Sequence, residues 1–409
     1  MRNLRIRLLP LIVLMFAFVS CDNEKGITYE PEVENSELVS INDALTRADA
    51  MFSQVYGETR SDREPSSVVR FLSKHTRGNE NLDSEGFYIV NYKEGGFSVL
   101  SADTRDMNRV YAISNEGALH LEDTVNNPEL GLYMNEILPS LAAGATILRP
   151  DLPTLPIDTI MPINPGWSYF KKHSDPLLTG FMATFHQTSP YNAYCNTGAP
   201  DYKPQYVGCV PLAVGTVMGY NKWPQNLDGY AFDWGAMYGN AQDQRWARLF
   251  KILGGPLYTN VTYGVVGGGT GTGLPKYNIS NALTNAFTKA KYTGTQITTF
   301  SPYSVGEELE NKCPVICVGF SAKNSGHAWV IDGGYTDGTI EYPATPGGQE
   351  IKVYRHFYHC VWGWNGLSNG YYLYSNSLGG DIQTGDPGYV VSAEQYNDLQ
   401  ICYGYRPKK

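Results

Sequence analysis

Two residues far apart in the sequence have the side chains needed for thiol chemistry, Cys209 and His327. Gly208 and Cys209 open an apolar stretch that continues to Met218 and is long enough to form a buried helix. The unpaired N–H groups and the positive dipole end at a helix start stabilise a thiolate and lower the pKa of the thiol. His327 begins a strand-like segment, from which an imidazole facing Cys209 would take the thiol proton. Each residue alone is more often a core residue, but together they fit nucleophilic catalysis.

Further candidate residues lie on either side of this pair. Gln187 precedes Cys209 by about 22 positions, and its amide is a candidate oxyanion donor, the alternative being an ordinary loop glutamine. Trp362 and Trp364 are separated by one glycine, so both indoles lie on the same face of a strand. The two indoles either belong to the core or form a wall that shields the imidazole and lines a cleft.

These motifs, in this order, resemble one known family. Gln-Thr-Ser-Pro-Tyr-Asn, Val-Gly-Cys-Val, Tyr-Asn-Lys-Trp-Pro, Gly-His-Ala-Trp-Val-Ile-Asp-Gly and Trp-Gly-Trp-Asn-Gly together look like the streptopain family of papain-like cysteine proteases, peptidase family C10. The resemblance spans roughly residues 181–375. The segments Gly86–Tyr92 and Gly96–Ser101 are similar to the inhibitory pro-domain of that family.

The resemblance implies a role for each matching position. Cys209 matches the nucleophile and His327 the general base, while Gln187 matches the glutamine that completes an oxyanion hole with the Cys209 N–H. Trp362 matches the tryptophan that orients and shields the histidine. The implied enzyme is an endopeptidase that cleaves polypeptide substrates, is inhibited by its own pro-domain, and requires neither a metal nor another cofactor.

One position departs from the family pattern. The family often has Asn immediately before the first tryptophan of the motif, whereas this chain has Val361. We therefore expect a Cys-His dyad with aromatic support, in which His359 or a backbone carbonyl is a weaker candidate for orienting His327. For the substrate cleft, Gly333 and Gly334 are candidates for strand-like pairing with an extended substrate, and Trp364 and Val207 are candidate wall residues.

The remaining cysteines are expected to be buried free thiols. Their spacing is irregular, and a nucleophilic Cys209 leaves an odd number for disulfide pairing. Cys313 and Cys317 flank part of an apolar, strand-like run with no second pair of ligands nearby, which argues against a metal site.

Composition excludes some classes of function. With 409 residues, of which 42% are hydrophobic and 17% charged, the chain can bury a full core. Its net charge of -9 comes from scattered acids, and no basic run follows the first ten residues, so nucleic acid is not an expected partner. The high content of Gly and aromatic residues favours loops and strands over a helical bundle.

The beginning of the chain reads as an export signal, residues 1–21. A basic start is followed by an apolar run from Leu8 to Val19, and Cys21 follows a segment that resembles a bacterial lipoprotein box. Lipidation at Cys21 and simple secretion remain alternatives, with Phe18 as the departure from the usual box. Both alternatives predict an exported protein, either secreted or held at the cell surface or outer membrane. A membrane contact is expected only through the lipid anchor, if Cys21 is lipidated. Residues 22–39 read as a flexible tether.

The rest of the chain divides into an inhibitory pro-domain at 40–147, a Pro-rich activation linker at 148–165 and a catalytic domain at 166–409. The pro-domain is expected to contain a helix over 41–55, a hairpin and a short strand over 110–114. Exposed linkers are where proteases cut, and Arg149, Lys171 and Lys172 are candidate processing points.

The predicted fold class is α+β, with a papain-like domain whose helical half carries Cys209 and whose antiparallel sheet carries His327, preceded by a smaller α+β pro-domain. Two other classes of function stay open. One is a non-catalytic surface lipoprotein or adhesin that retains the fold. The other is a Cys-His amidase or transglutaminase, although Asp332 lies too near His327 on the same strand to serve as the acid of a triad.

Overall fold

A computed structural model describes most of the chain from residue 38 onward. The described residues are 38–57, 63–72, 86–104, 106, 108–147, 168–196, 204–264, 272–321, 326–341, 351–378, 389–392 and 399–408. The expected signal peptide, Cys21, nearly all of the tether, the linker and Arg149 lie outside these residues. Within the described residues, no helix is both long and apolar enough to cross a bilayer.

Strands make up much of the described chain. In chain order they are β1 (Pro65–Leu72), β2 (Gly86–Tyr92), β3 (Phe97–Ser101), β4 (Val110–Ser114), β5 (Ser168–Ser174), β6 (Asn226–Leu227), β7 (Tyr230–Ala231), β8 (Thr262–Tyr263), β9 (Thr272–Gly273), β10 (Tyr292–Thr293), β11 (Gln296–Thr299), β12 (Val315–Phe320), β13 (Gly326–Glu341), β14 (Ile351–Val361), β15 (Gly370–Leu378), β16 (Tyr389–Ser392), β17 (Gln400–Tyr403) and β18 (Arg406–Pro407).

Twelve of these strands form one antiparallel sheet in the order β1-β2-β3-β4-β15-β14-β13-β12-β17-β11. In addition, β16 pairs with β15, and β5 pairs with β13. The long strand β13 is therefore bordered by β14 on one edge and by β12 and then β5 on the other. Because His327 lies at the start of β13, its backbone is held by the centre of the sheet.

The helices pack around this sheet. They are α1 (Ile41–Tyr56), α2 (Asp123–Asn126), α3 (Pro128–Leu132), α4 (Leu138–Ile147), α5 (Cys209–Asn221), α6 (Trp234–Met237), α7 (Gln244–Leu253), α8 (Ile279–Lys289) and α9 (Pro302–Glu310). A π-helix over Tyr133–Ile137 joins α3 to α4, and 3-10 turns span Gly180–Thr184 and Lys276–Asn278.

Helix α5 is the centre of the helical half. From Val210 to Gly219 every residue is buried, and the helix packs against β13, α7 and α8. An added Cβ at Gly219 would approach the Trp246 ring to 3.0 Å, so the missing side chain lets the α7 indole lie close to the α5 backbone. The uniformly apolar sequence of α5 is explained by burial on all sides.

The pro-domain and the catalytic part share the sheet. Strand β4 of the pro-domain pairs with β15 of the catalytic part, with Ile113 opposite Tyr371 and Ala112 opposite Tyr372. Residues Asn35–Lys409 form one compact unit, and the division into pro-domain, linker and catalytic domain stays a prediction. This pairing of β4 with β15 gives hydrogen-bond partners to backbone N–H and C=O groups that would be unpaired if the two sheet edges were separate.

The predicted α+β class is confirmed, and the local elements agree closely with the sequence patterns. The expected helix over 41–55 is α1, which begins after Ser40, whose hydroxyl accepts the Asp43 N–H at 3.2 Å, and ends at Gly57 in the left-handed region. The expected hairpin is β2 and β3, and the expected short strand is β4. The six cysteines after position 21 are free thiols; Cys195, Cys317, Cys360 and Cys402 are buried as expected, whereas the expectation was wrong for Cys313, which is only partly buried.

Candidate active site

Cys209 is the first residue of α5 and is partly buried. The residue before it, Gly208, has φ of 95°, and an added Cβ there would lie 2.9 Å from the Thr272 side chain. Only glycine fits this conformation and this space, so Gly208 fixes the entry of the chain into the helix. The sulfur is thereby held at the helix N-terminus, near the N–H groups of Ala328 and Val210.

His327 faces Cys209 from the second position of β13. It pairs with Gly319 of β12, and its side chain is 19% exposed. One donor atom from each of His327, Cys209 and Glu129 lies within 4.8 Å of the other two. The structure therefore brings the two sequence-predicted catalytic residues together, with a third side chain beside them.

Gln187 lies beside this pair and is oriented by the backbone before Cys209. Its side-chain oxygen accepts the Gly208 N–H at 3.2 Å, and its backbone oxygen accepts the Val207 N–H at 3.0 Å. The side-chain NH₂ group points the other way and donates to Glu129 Oε1 at 3.4 Å. The predicted oxyanion glutamine therefore has its donor group directed into the site.

Glu129 of the pro-domain occupies the centre of the site, and sequence reasoning did not identify it. Its side chain is 1% exposed, and its Oε1 lies 3.8 Å from His327 Nδ1. Its Oε2 accepts the Trp364 indole N–H at 2.6 Å. A carboxyl group from the pro-domain thus contacts the base and two hydrogen-bond donors of the catalytic part.

The short helix α3 positions this carboxyl group. The Asn127 side chain accepts the Leu130 N–H at 3.0 Å and caps the helix. At Gly131 an added Cβ would collide with the Thr124 backbone oxygen, so α2 and α3 approach closely there. Leu132 then packs against Gly319 of β12, where there is no room for a further side chain.

Burial changes the protonation of all three central groups. Burial raises the pKa of Glu129 from 4.5 to about 7, although the Trp364 N–H partly offsets it. Burial, and then the Glu129 charge, raise the pKa of Cys209 to about 12. Burial lowers the pKa of His327 to about 4. At pH 7 the catalytic pair of the precursor is therefore a neutral thiol and a neutral imidazole, and the contact between Glu129 and His327 is not an ion pair.

The same three side chains present one oxygen, one sulfur and one nitrogen donor, a combination that zinc accepts. Because two of them are the predicted nucleophile and base, a metal bound there would block the predicted thiol chemistry. The expectation that the enzyme needs no metal stays a prediction.

Trp362 is fully buried rather than part of an open cleft wall. Its indole N–H donates to the Ser368 carbonyl at 2.9 Å, and its ring packs on Trp329 with the centroids 5.5 Å apart. Trp329 lies two residues after His327 and so on the same face of β13. Trp362 thus supports the strand that carries the histidine, and direct shielding of the imidazole stays a prediction.

The candidate substrate contacts fall into two groups. Trp364 lies in the site through its bond to Glu129, and Val207 is buried next to Gln187, to whose backbone oxygen it donates. Gly333 and Gly334 are buried further along β13, where added Cβ atoms would meet Ser174 and Leu309, respectively, at 3.1 and 3.0 Å. In the precursor these two glycines pair with neighbouring strands, so the structure does not bring them to the catalytic pair.

His359, the weaker candidate for orienting His327, has another partner. Its Nδ1 lies 2.6 Å from Asp332 Oδ1, and the second oxygen of Asp332 accepts the Leu178 N–H at 2.7 Å. Asp332 is completely buried. The expected absence of an acid for His327 on this strand agrees with the geometry, because Asp332 holds His359 and the chain after β5.

The two lysines proposed as processing points lie in β5. Lys171 pairs with Asp337 and Lys172 with Thr336 of β13, and Lys172 forms an ion pair with Glu310. A protease needs an extended, unpaired segment, so β5 has to separate from β13 before either peptide bond is accessible.

Two family profiles and several known proteases are similar to this chain. A profile of the peptidase C10 family matches residues 185–372, and a profile of the Spi protease inhibitor matches residues 36–137. The thiol protease/hemagglutinin PrtT of Porphyromonas gingivalis is 26% identical over 382 residues, which cover 85% of this chain and 40% of that protein. Streptopain of Streptococcus pyogenes is 26% identical over 344 residues, which cover 74% of this chain and 76% of that protein.

A solved structure supports the fold. A fragment of prointerpain A from Prevotella intermedia matches with a TM-score of 0.50 and 20% identity, over 83% of this chain and 100% of that chain. The architecture is that of a papain-like cysteine peptidase with a pro-domain still attached. The two profiles match consecutive parts of the chain, and together with the similar thiol proteases they support a precursor of the peptidase C10 type.

Proposed function

We propose that this protein is an exported cysteine endopeptidase made as an inactive precursor. The observation that carries the proposal is the convergence of Cys209, His327 and the Gln187 amide on one point, which a pro-domain carboxyl group fills. A nucleophile, a base and an oxyanion donor around a single point are the requirements of acyl transfer.

In the processed enzyme, His327 takes the Cys209 proton and the thiolate attacks the peptide carbonyl carbon. The carbonyl oxygen becomes an oxyanion, which the Cys209 N–H and the Gln187 NH₂ group stabilise. When the C–N bond breaks, the imidazolium gives its proton to the leaving amine. His327 then accepts a proton from water, the hydroxide adds to the thioester, and the C–S bond breaks to release the acid and restore the thiol.

In the precursor, Glu129 prevents this sequence in two ways. It occupies the space in which the reacting carbonyl would lie, and its burial with the pair favours the neutral thiol and neutral imidazole. Removal of α3 admits water, which lowers the pKa of Cys209 and raises that of His327, because burial is the largest cause of both shifts. Pro-domain release therefore both opens and activates the site.

Export and anchoring rest on the sequence alone. The basic and apolar start of residues 1–21 supports export, and the residues around Cys21 support a lipid anchor. Labelling with radioactive palmitate tests the anchor, with Cys21→Ser as the unlabelled control. Incorporation into the Cys21→Ser variant would contradict lipidation at this residue.

The test of the catalytic proposal is labelling by an epoxide inhibitor specific for papain-type thiols, together with casein hydrolysis in reducing buffer. Processed wild-type protein is expected to take up one label per chain and to hydrolyse casein. Cys209→Ser is expected to do neither, while Cys313→Ser, which removes another partly buried thiol, behaves as wild type. Processed wild-type protein that is neither labelled nor active would rule out the peptidase and favour an adhesin.

A further inference from the structure

The indole of Trp364 is held with its N–H directed into the catalytic site. The Trp364 backbone forms an isolated antiparallel bridge with His186, the neighbour of Gln187. Its ring lies edge-on to Tyr206, with the centroids 5.7 Å apart and the planes at 88°. The flanking residues Gly363 and Asn365 both have positive φ, 83° and 58°, so the turn that presents the indole is tightly defined.

Two donors from different segments bind one carboxylate in this structure. Trp364 donates to Glu129 Oε2 at 2.6 Å, and Gln187 donates to Oε1 at 3.4 Å. Both donors belong to the catalytic part, so they remain when the pro-domain leaves. Among the described residues, the acceptor that these two donors bind is Glu129, so once it leaves they favour a ligand that supplies oxygens.

We propose that Trp364 and Gln187 form a carboxylate-binding site that Glu129 fills in the precursor and the new C-terminal carboxylate of the acyl-side product fills in the processed enzyme. Binding of the product carboxylate rests on the proposed peptidase function, whereas binding of Glu129 does not. Hydrolysis of the thioester creates a carboxylate at the carbon that Cys209 held, and one of its oxygens already lies in the oxyanion position next to Gln187. The second oxygen then accepts the Trp364 N–H, as Glu129 Oε2 does.

The first experiment tests carboxylate binding without catalysis, in the full-length chain. Glu129→Ala keeps the Cβ and removes a group with the size and charge of acetate. We expect acetate, but neither acetamide nor sodium chloride at equal ionic strength, to raise the thermal midpoint of this variant in a saturable way. Adding Trp364→Phe, which keeps an aromatic ring but lacks the N–H, should raise the acetate concentration required by about tenfold.

A matched control separates loss of this donor from loss of any indole N–H. Trp223 donates its indole N–H to the Ala290 carbonyl at 2.9 Å, outside the site. Adding Trp223→Phe to Glu129→Ala should leave the acetate response unchanged. An equal response to acetamide, or an acetate response insensitive to Trp364→Phe, would overturn the carboxylate site.

The second experiment tests binding of the product carboxylate to the processed enzyme. It does not use Glu129→Ala, so it remains informative if that variant does not fold. A blocked peptide with a free C-terminal carboxylate should inhibit competitively, about tenfold better than its C-terminal amide, and Trp364→Phe should remove this difference. A peptide amide with an acidic side chain distinguishes a side-chain ligand from the product carboxylate. Equal inhibition by acid and amide, or better inhibition by the acidic side chain, would contradict product binding, whereas absence of any hydrolysis would contradict only the peptidase proposal.

Discussion

The side-chain oxygen of Gln187 accepts the backbone N–H of Gly208 at 3.2 Å. This bond fixes which end of the amide faces the site, since the oxygen is bound to the residue before the nucleophile and the NH₂ group is directed toward Glu129. The glutamine loop and the start of α5 are thus positioned as one unit.

Gln187→Ala is expected to lower kcat of the processed enzyme about 100- to 1000-fold, because a donor to the oxyanion is lost in the transition state. Gln187→Glu should be equally impaired, since a carboxylate cannot donate to an oxyanion. Steady-state kinetics on a fluorogenic peptide measures both. A fall in kcat below about threefold would argue that the Cys209 N–H suffices alone.

Cys209→Ser should accumulate as the full-length precursor if the enzyme processes itself. The hydroxyl is a much weaker nucleophile without a dedicated activating environment, so the first cleavage cannot occur in the variant. Gel electrophoresis and mass analysis of purified protein provide the measurement. Trimming of Cys209→Ser at the wild-type rate would show that another protease performs the activation.

The contribution of Glu129 to pro-domain docking is expected to weaken as pH rises, whereas His327, whose pKa burial lowers from 6.5 to about 4, contributes docking stability that is lost as pH falls. Burial raises the pKa of Glu129 from 4.5 to about 7, so the docked state prefers the protonated carboxyl. The stabilisation is complete below pH 4.5 and is lost as pH rises through about 7, where the docked group must ionise without water. Because the His327 contribution is common to both proteins, labelling of Cys209 should accelerate more steeply between these pH values in the wild-type precursor than in Glu129→Gln.

Glu129→Gln separates this effect from the general ionisation of thiols. A glutamine side chain has nearly the same size but does not titrate, so the step attributed to Glu129 should disappear even if the amide docks less tightly. Glu122→Gln, at an exposed position just before α2, should retain it. An unchanged pH profile in Glu129→Gln would assign the step to another group.

Gly131→Ala should produce a precursor that is partly active. The new methyl group would collide with the Thr124 backbone oxygen, so α3 has to shift and Glu129 with it. We expect faster labelling of Cys209 by the epoxide than in the wild-type precursor. Gly306→Ala in α9, where nothing lies within 4 Å of the added Cβ, is the matched control and should leave the labelling rate unchanged.

Asp332→Ala should destabilise the protein by about 3–5 kcal/mol at pH 7, because it leaves His359 and the Leu178 N–H without their buried partner. Urea unfolding in a Cys209→Ser background, which prevents self-digestion, measures the change. Asp175→Asn, whose side chain is 89% exposed, should cost less than about 1 kcal/mol. A small effect of Asp332→Ala would mean that this cluster is not a structural anchor.

Cys209, His327 and Gln187, the predicted nucleophile, base and oxyanion glutamine, could be singled out from the sequence because their motifs occur together in one order, although each signal alone is weak. Cys209 begins an apolar helix after a glycine, and His327 begins a strand of alternating pattern. The sequence also showed that Val361 replaces the Asn that the family often has before the first tryptophan. In the structure, Val361 pairs with Val330 in the sheet.

Glu129 could not be predicted in the same way. It lies in the short sequence Pro-Glu-Leu-Gly-Leu, and nothing there separates it from an ordinary first-turn acid that favours a helix N-terminus. Its position depends on a pairing between β4 and β15, which are far apart in the chain, and on the approach of α3 to β13. The pairing of Gly333 and Gly334 with β14, and of Gly334 also with β5, likewise depends on segments distant in the chain, so the sequence did not reveal it.

The insertion of Glu129 also determines how inhibition responds to dilution. While the chain is intact, the carboxyl group is tethered to the site it fills, and a tethered ligand acts at an effective concentration in about the millimolar range. Cleavage between Ile147 and Ser168 would turn this closure into an equilibrium between two molecules. The cut precursor would then stay closed where it is concentrated and open where it is dilute, so the enzyme becomes active as it spreads away from the place of cleavage.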